Sequence, residues 1–75
     1  MTTKADITTS NEGSLWIFLS KTPRGRRWLT RHVADSENGV AIAEHRYGFD
    51  IALGALNDGL RLQDSATGRF ASLPA

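Results

Sequence analysis

Apolar and polar positions recur along this chain with a period that changes several times. Residues 1–13, MTTKADITTSNEG, are rich in Thr, Ser, Asn, Asp and Gly, and Ile7 is their only large apolar residue besides Met1. That composition reads as a flexible N-terminal tail. Ser14 to Ser20, SLWIFLS, is a continuous apolar run of strand length with aromatics at Trp16 and Phe18. Such a run is the pattern of a strand buried on both faces, and Lys21 closes it.

Thr22-Pro23 is a helix start, because Thr can cap and Pro fits the first helical position, where its missing N–H is not needed. From there Gly25, Trp28, Leu29, His32 and Val33 recur on one side at helical spacing. Arg24, Arg27 and Arg31 follow i, i+3, i+7 along another side. Ala34 to Gly39, ADSENG, has the composition of a turn. Val40 to Arg46, VAIAEHR, alternates as a strand does, with Val40, Ile42 and Glu44 on one face and Ala41, Ala43 and His45 on the other. Tyr47 to Asn57 places Phe49, Ala52, Leu53 and Leu56 at i, i+3, i+4, i+7, the face of an amphipathic helix. Gly59, after Asn57-Asp58, suits a left-handed C-cap. Leu60 to Gln63, LRLQ, alternates as a short edge strand. Asp64 to Ala75 turns through Thr67-Gly68, from which Phe70 and Leu73 can fold back on the core.

The pattern predicts a small α/β domain over residues 14–63, in the order β-α-β-α-β, between an N-terminal tail 1–13 and a C-terminal tail 64–75. Short crossovers join parallel strands, so a three-stranded, mostly parallel sheet with two helices is expected. Its first strand should be central, with a helix on each face. A mixed sheet with an antiparallel edge is the alternative. The expected core is Trp16, Phe18, Trp28, Phe49, Leu53 and Leu56.

With 75 residues and a hydrophobic fraction of 40%, the chain can close one small core but not a deep cleft. This argues against an enzyme. The formal net charge is only +1, yet the charges are segregated. Residues 21–32 carry basic residues and no acidic one, whereas residues 33–44 carry Asp35, Glu37 and Glu44 and no Lys or Arg. The folded chain should therefore have a basic pole. The absence of cysteine excludes disulfides and thiolate metal sites and suits a reducing cytoplasm. No apolar segment of signal-peptide type opens the chain, and the longest apolar run, Leu15 to Leu19, is far too short to span a bilayer.

The candidate chemistry lies in Lys21 to Arg31, KTPRGRRWLTR, which holds five of the nine basic residues: Lys21, Arg24, Arg26, Arg27 and Arg31. Cations at a helix N-terminus oppose the macrodipole by roughly 0.3–1 kcal/mol each. They must be screened or used on an anionic partner. TPRGRR lacks the Gly-Lys-Ser/Thr ending of a phosphate loop. What remains is a helix N-terminus flanked by guanidinium groups, an anion seat by its chemistry. Trp28 falls on the core side, which favours packing over a role as a stacking platform for bases. Glu44-His45-Arg46 has the composition of a catalytic triplet, but strand neighbours diverge, so Glu44 and Arg46 share a face and pair instead. His32 and His45 have no third ligand to make a zinc site. No catalytic residue, cofactor or metal is expected.

The strand with Trp16, the Thr22-Pro23 start, Trp28, Ala43 to Tyr47 (AEHRY), and Asp50 through Gly59-Leu60 together resemble small α/β proteins encoded on bacterial mobile elements such as plasmids, integrative elements and prophages. The resemblance covers roughly residues 14–62. It implies an accessory or inhibitor protein that binds a larger host protein or a defence complex, and it assigns a role to no residue. The leading expectation is a non-catalytic binding protein whose basic residues dock on an acidic surface of a larger protein. Nucleic acid is the alternative partner. The chain is expected to be a monomer or a weak homodimer, self-pairing through the Leu60–Gln63 edge.

Overall fold

A computed structural model describes residues 4–33 and 36–72. The element order is β1 (Ile7–Glu12), β2 (Leu15–Ser20), α1 (Pro23–His32), β3 (Val40–Glu44), α2 (His45–Asn57) and β4 (Leu62–Asp64). The domain is α/β with two helices, as the pattern predicts, but the sheet has four strands in the order β3-β2-β1-β4. It is mixed and mostly antiparallel rather than three-stranded and parallel. β1–β2 and β2–β3 pair antiparallel, and only β1–β4 is parallel.

Two local causes produce this difference. First, Ile7–Glu12 is a strand, not part of a loose tail. Gly13, at φ 76°, turns the chain, and β1 and β2 form a hairpin from Ile7↔Ser20 to Glu12↔Leu15. β1 spends its backbone groups on neighbours at both edges, so it needs only Ile7 for the core, and Ile7 is fully buried. Second, a tight turn reverses the chain between α1 and β3. Glu37 and Val40 exchange backbone hydrogen bonds at 2.8 and 3.0 Å, with Asn38 at φ 53° and Gly39 at φ 79°. β3 therefore returns antiparallel to β2. The crossover through α2 then passes over β2 and β1 to reach the far edge.

The SLWIFLS strand is an inner strand, as expected, but only one of its faces is covered. Phe18 is fully buried, while Leu15 and Leu19 remain about two-fifths exposed, at 41% and 39%. Both helices lie on the Phe18 side. There Ile7, Phe18, Leu29, Ala41, Ala55, Leu60 and Leu62 form the core, with Trp16, Trp28, Val33, Ile51 and Leu56 packed against it. The expected helix on each face is thus replaced by two layers, one sheet face being open.

α1 starts as its sequence dictates. Thr22 is the N-cap, its hydroxyl accepting from Gly25 N at 3.1 Å, and Pro23 opens the helix. The same hydroxyl donates to Asp6 Oδ1 at 2.7 Å. Gly25 is required because a Cβ there would run into the Asp6 carbonyl oxygen.

α2 departs from the expected face. It begins at His45, and its buried residues are Gly48 and Ala55. A Cβ on Gly48 would lie 2.6 Å from Trp16 Cγ, so the small residues let the helix lie close on the sheet. The bulky stripe is rotated outward: Phe49 is 58% exposed, and Leu53 and Leu56 are half-buried. Trp16 and Trp28 are likewise half-buried rather than enclosed. Gly59 caps the helix at φ 85°, with Leu60 N donating to Ala55 O at 3.0 Å.

β4 spans Leu62–Asp64 and is an edge strand, as expected of this segment. Its outer edge is occupied, however. Gln63 pairs with Phe70, and Ala71 N donates to Leu62 O at 2.9 Å. The residues after Asp64 therefore return along β4, and the edge expected to self-pair is already taken. Ala34 and Asp35 of the expected turn, and Leu73, expected to fold back, lie outside the described residues. No helix among the described residues is long and apolar enough to cross a membrane.

Candidate functional site

The basic residues of α1 divide into two groups once the helix is placed. Arg24, Arg27 and Arg31 line one depression of about 490 Å³, together with Trp28, His32, Asp58 and Leu60. Arg26 leans the other way, its Cγ close to Gly39. Lys21 sits before the cap, exposed, its backbone N–H donating to Asp6 O at 2.7 Å. The structure thus gathers three of the five expected binding residues and leaves Arg26 and Lys21 outside the depression.

The three gathered arginines are not equivalent. Arg24 Nη2 donates to Gly59 O at 2.8 Å and lies 3.4 Å from Asp58 O. Its guanidinium opposes the N-terminus of its own helix, but it sits at the carbonyl end of α2, where a cation is favoured. Arg27 and Arg31, one turn apart, are exposed and make no side-chain hydrogen bond or ion pair with the other described residues. They are the groups available to a partner.

Asp58 organises the rest of the depression. Its Oδ2 accepts from Trp28 Nε1 at 2.6 Å and lies 3.7 Å from His32 Nε2. The Trp28 and His32 rings stack with centroids 4.4 Å apart and an interplanar angle of 29°. Trp28 is therefore held at its ring face by His32 and at its N–H by Asp58, and its far edge lies next to Gly54 of α2. Helical spacing places Trp28 on the core side, but the local sequence around Asp58 marks only the end of a helix. Trp28 and Asp58 are thirty residues apart, and no local spacing links them.

The other candidate residues are dispersed. His45 lies edge-on to Trp16, with centroids 6.0 Å apart, remote in its contacts from the His32–Trp28 stack. Glu44 and Arg46 form the expected pair at 3.9 Å. A second depression, an apolar groove of about 420 Å³, runs between α2 and the segment after β4. Phe49, Leu53 and Leu56, expected in the core, line it with Phe70. The guanidinium of Arg61 lies 5.0 Å from the Phe70 ring centroid.

Chemically, the α1 depression offers two guanidinium groups, unengaged among the described residues, beside a fixed aromatic stack. It suits planar or multiply charged anions, which guanidinium can grip with two parallel hydrogen bonds. No protein-family model, curated protein or solved structure matches this chain.

Proposed function

We propose that the protein is a non-catalytic binding module that docks on an acidic surface of a larger protein through α1, with Arg27 and Arg31 as its principal contacts. Lys21, Arg24 and Arg26 extend the same positive field. The observation that carries this reading is the pairing of Arg27 and Arg31 at i, i+4, exposed and without a partner among the described residues. Like charges at that spacing repel, so leaving both unpaired costs the free helix something that an acidic partner would return. A role as a cytoplasmic accessory or inhibitor protein of a mobile element, acting on a host or defence complex, fits this size and charge pattern.

Direct nucleic-acid binding by the same arginines is the second reading. The Trp28 geometry favours the first. A base-stacking platform needs an open ring face, whereas Trp28 has one face on His32 and its N–H on Asp58. The test is a pull-down from bacterial lysate, with and without nuclease treatment, using the wild-type chain and an Arg27→Ala/Arg31→Ala variant. A protein partner survives nuclease and is lost with the double variant. Binding to random DNA that falls with salt at a slope of about 0.9 per phosphate contact would favour the second reading instead.

A further inference from the structure

We propose that the open face of the sheet is a self-association surface, on which two copies stack with their strands antiparallel about a two-fold axis perpendicular to the strands. The face turned away from the helices carries Leu15, Ile17 and Leu19 of β2 beside Val40 and Ile42 of β3, in the register Ile17↔Ile42 and Leu19↔Val40. Ile42 is 52% exposed. The β1 half of the same face is polar, with Thr8 and Ser10 at the alternate positions.

Charge is segregated along the strands. Glu12 and Glu44 flank Leu15 at one end, since Glu12↔Leu15 and Leu15↔Glu44 form a single row. Exposed Lys21 and Arg61 follow β2 and precede β4 at the other end. Asp6, on that basic row, is already engaged: its carboxylate holds the Thr22 hydroxyl and Arg61 N.

This pattern selects both the partner and the axis. Two copies related by a two-fold parallel to the strands would lay apolar β3 over polar β4 and acidic end on acidic end. A two-fold perpendicular to the strands lays β2 and β3 on their own copies. With the axis at Ile17, the row carrying Glu12 and Glu44 lies opposite the Leu19 row of the other copy, about 7 Å along the strands from its Lys21 and Arg61, a gap that those long side chains span. The apolar halves of the face match in that one orientation, and Glu12 faces the end that carries Lys21, which a generic apolar ligand would leave unanswered; Glu44 already has Arg46 at 3.9 Å and Arg61 the Phe70 ring. Strands of six, six, five and three residues, at about 3.4 Å per residue and about 4.8 Å apart, give a flat face of roughly 330 Å². That is about two-fifths of the ~800 Å² per partner in a standard interface, so the dimer is a weak one. The helices, and with them Arg27 and Arg31, remain on the outer surfaces, so this inference is independent of the proposed function.

Sedimentation velocity on the full chain up to roughly 1 mM tests it, where a dimer with a Kd in the millimolar range becomes populated. Wild type should shift from monomer to dimer. Ile17→Lys should weaken the dimer by more than tenfold with an unchanged circular dichroism spectrum. Glu12→Lys/Glu44→Lys, which leaves the apolar face intact, should weaken it as well. Because the chain has no cysteine, single-cysteine variants report the axis when treated with a bismaleimide reaching about 10 Å, the separation of stacked sheets. Leu15→Cys should cross-link to Leu19→Cys in a mixture faster than either does to itself, and Ile17→Cys should cross-link to its own copy. A chain that stays monomeric throughout, or a dimer indifferent to both the Ile17 and the glutamate variants, would overturn the proposal. Preferential self-linking of Leu15→Cys would overturn the axis.

Discussion

The Arg24 guanidinium is bonded to the carbonyl oxygen of Gly59 at 2.8 Å, joining the start of α1 to the end of α2. It accounts for a cation placed against its own helix dipole, since the neighbouring helix provides the carbonyls that α1 cannot. Arg24→Ala should lower stability by about 0.5–1 kcal/mol, the lower range for a charged hydrogen bond in an exposed setting. Arg27→Ala and Arg31→Ala should leave stability within about 0.5 kcal/mol, or raise it, because each removes a like-charge neighbour. Urea unfolding of the three single variants separates them. Equal losses in all three would mean that the arginines form one structural set.

Asp6 forms a second joint between distant elements. Its carboxylate accepts from the Thr22 hydroxyl at 2.7 Å and from Arg61 N at 3.0 Å, and it is 8% exposed. It also places a negative charge near the N-terminus of α1, whose first turn contains no acidic residue. Asp6→Ala leaves two donors unanswered and should cost about 2–3 kcal/mol. Asp6→Asn, which keeps an acceptor but not the charge, should cost less. Thermal melts in which both variants match wild type would remove Asp6 from the joint.

The contrast between Phe18 and Phe49 shows how far the sequence was legible. Both were expected in the core, but Phe18 is fully buried and Phe49 is 58% exposed. Phe18→Ala should cost about 3–5 kcal/mol and Phe49→Ala no more than about 1 kcal/mol, as measured by chemical denaturation. A loss at Phe49 as large as that at Phe18 would restore the bulky stripe as the core face. The start of α1, the β3 alternation and the Gly59 cap were readable because each is fixed by residues within one turn, whereas α2 begins at His45, inside the segment read as a strand. β1 was not, because a strand paired on both edges draws its stability from backbone bonds, and its single core residue, Ile7, leaves almost no hydrophobic signal. The rotation of α2 was hidden for a related reason. Its contact with the sheet runs through Gly48 and Ala55, which hydrophobic periodicity passes over. In the basic site, the stripe of Arg24, Arg27 and Arg31 was legible from helical spacing. The division of labour within it depends on Asp58 and Gly59, which lie on another helix.

Gly48 makes that rotation testable. A Cβ added there would stand 2.6 Å from Trp16 Cγ and 2.7 Å from Cδ2, closer than packing allows, and the indole is wedged between the sheet and the helix. Gly48→Ala gains helix propensity, worth about 1 kcal/mol, but should still destabilise by about 1–3 kcal/mol through overpacking. Gly54→Ala, whose Cβ would meet Trp28 at an ordinary 3.5 Å, should gain the propensity without the clash. Opposite shifts in melting temperature for these two substitutions in one helix would fix which face of α2 lies on the sheet. Two stabilising substitutions would place that face elsewhere.

Asp58 should affect stability and binding with opposite signs. Its carboxylate holds Trp28 Nε1 at 2.6 Å, so Asp58→Ala should lower stability by about 1–2 kcal/mol. It is also the acidic residue lining the depression that Arg24, Arg27 and Arg31 share. Its removal raises the positive potential toward an anionic partner, and that gain should be largest at low salt. Titration calorimetry at low and moderate salt should therefore show tighter binding by a less stable variant, with the advantage shrinking as salt rises. If Asp58→Ala instead weakens binding at both salt concentrations, the carboxylate acts by holding Trp28 and α2 in place. The arginines would then depend on that framework more than on net charge.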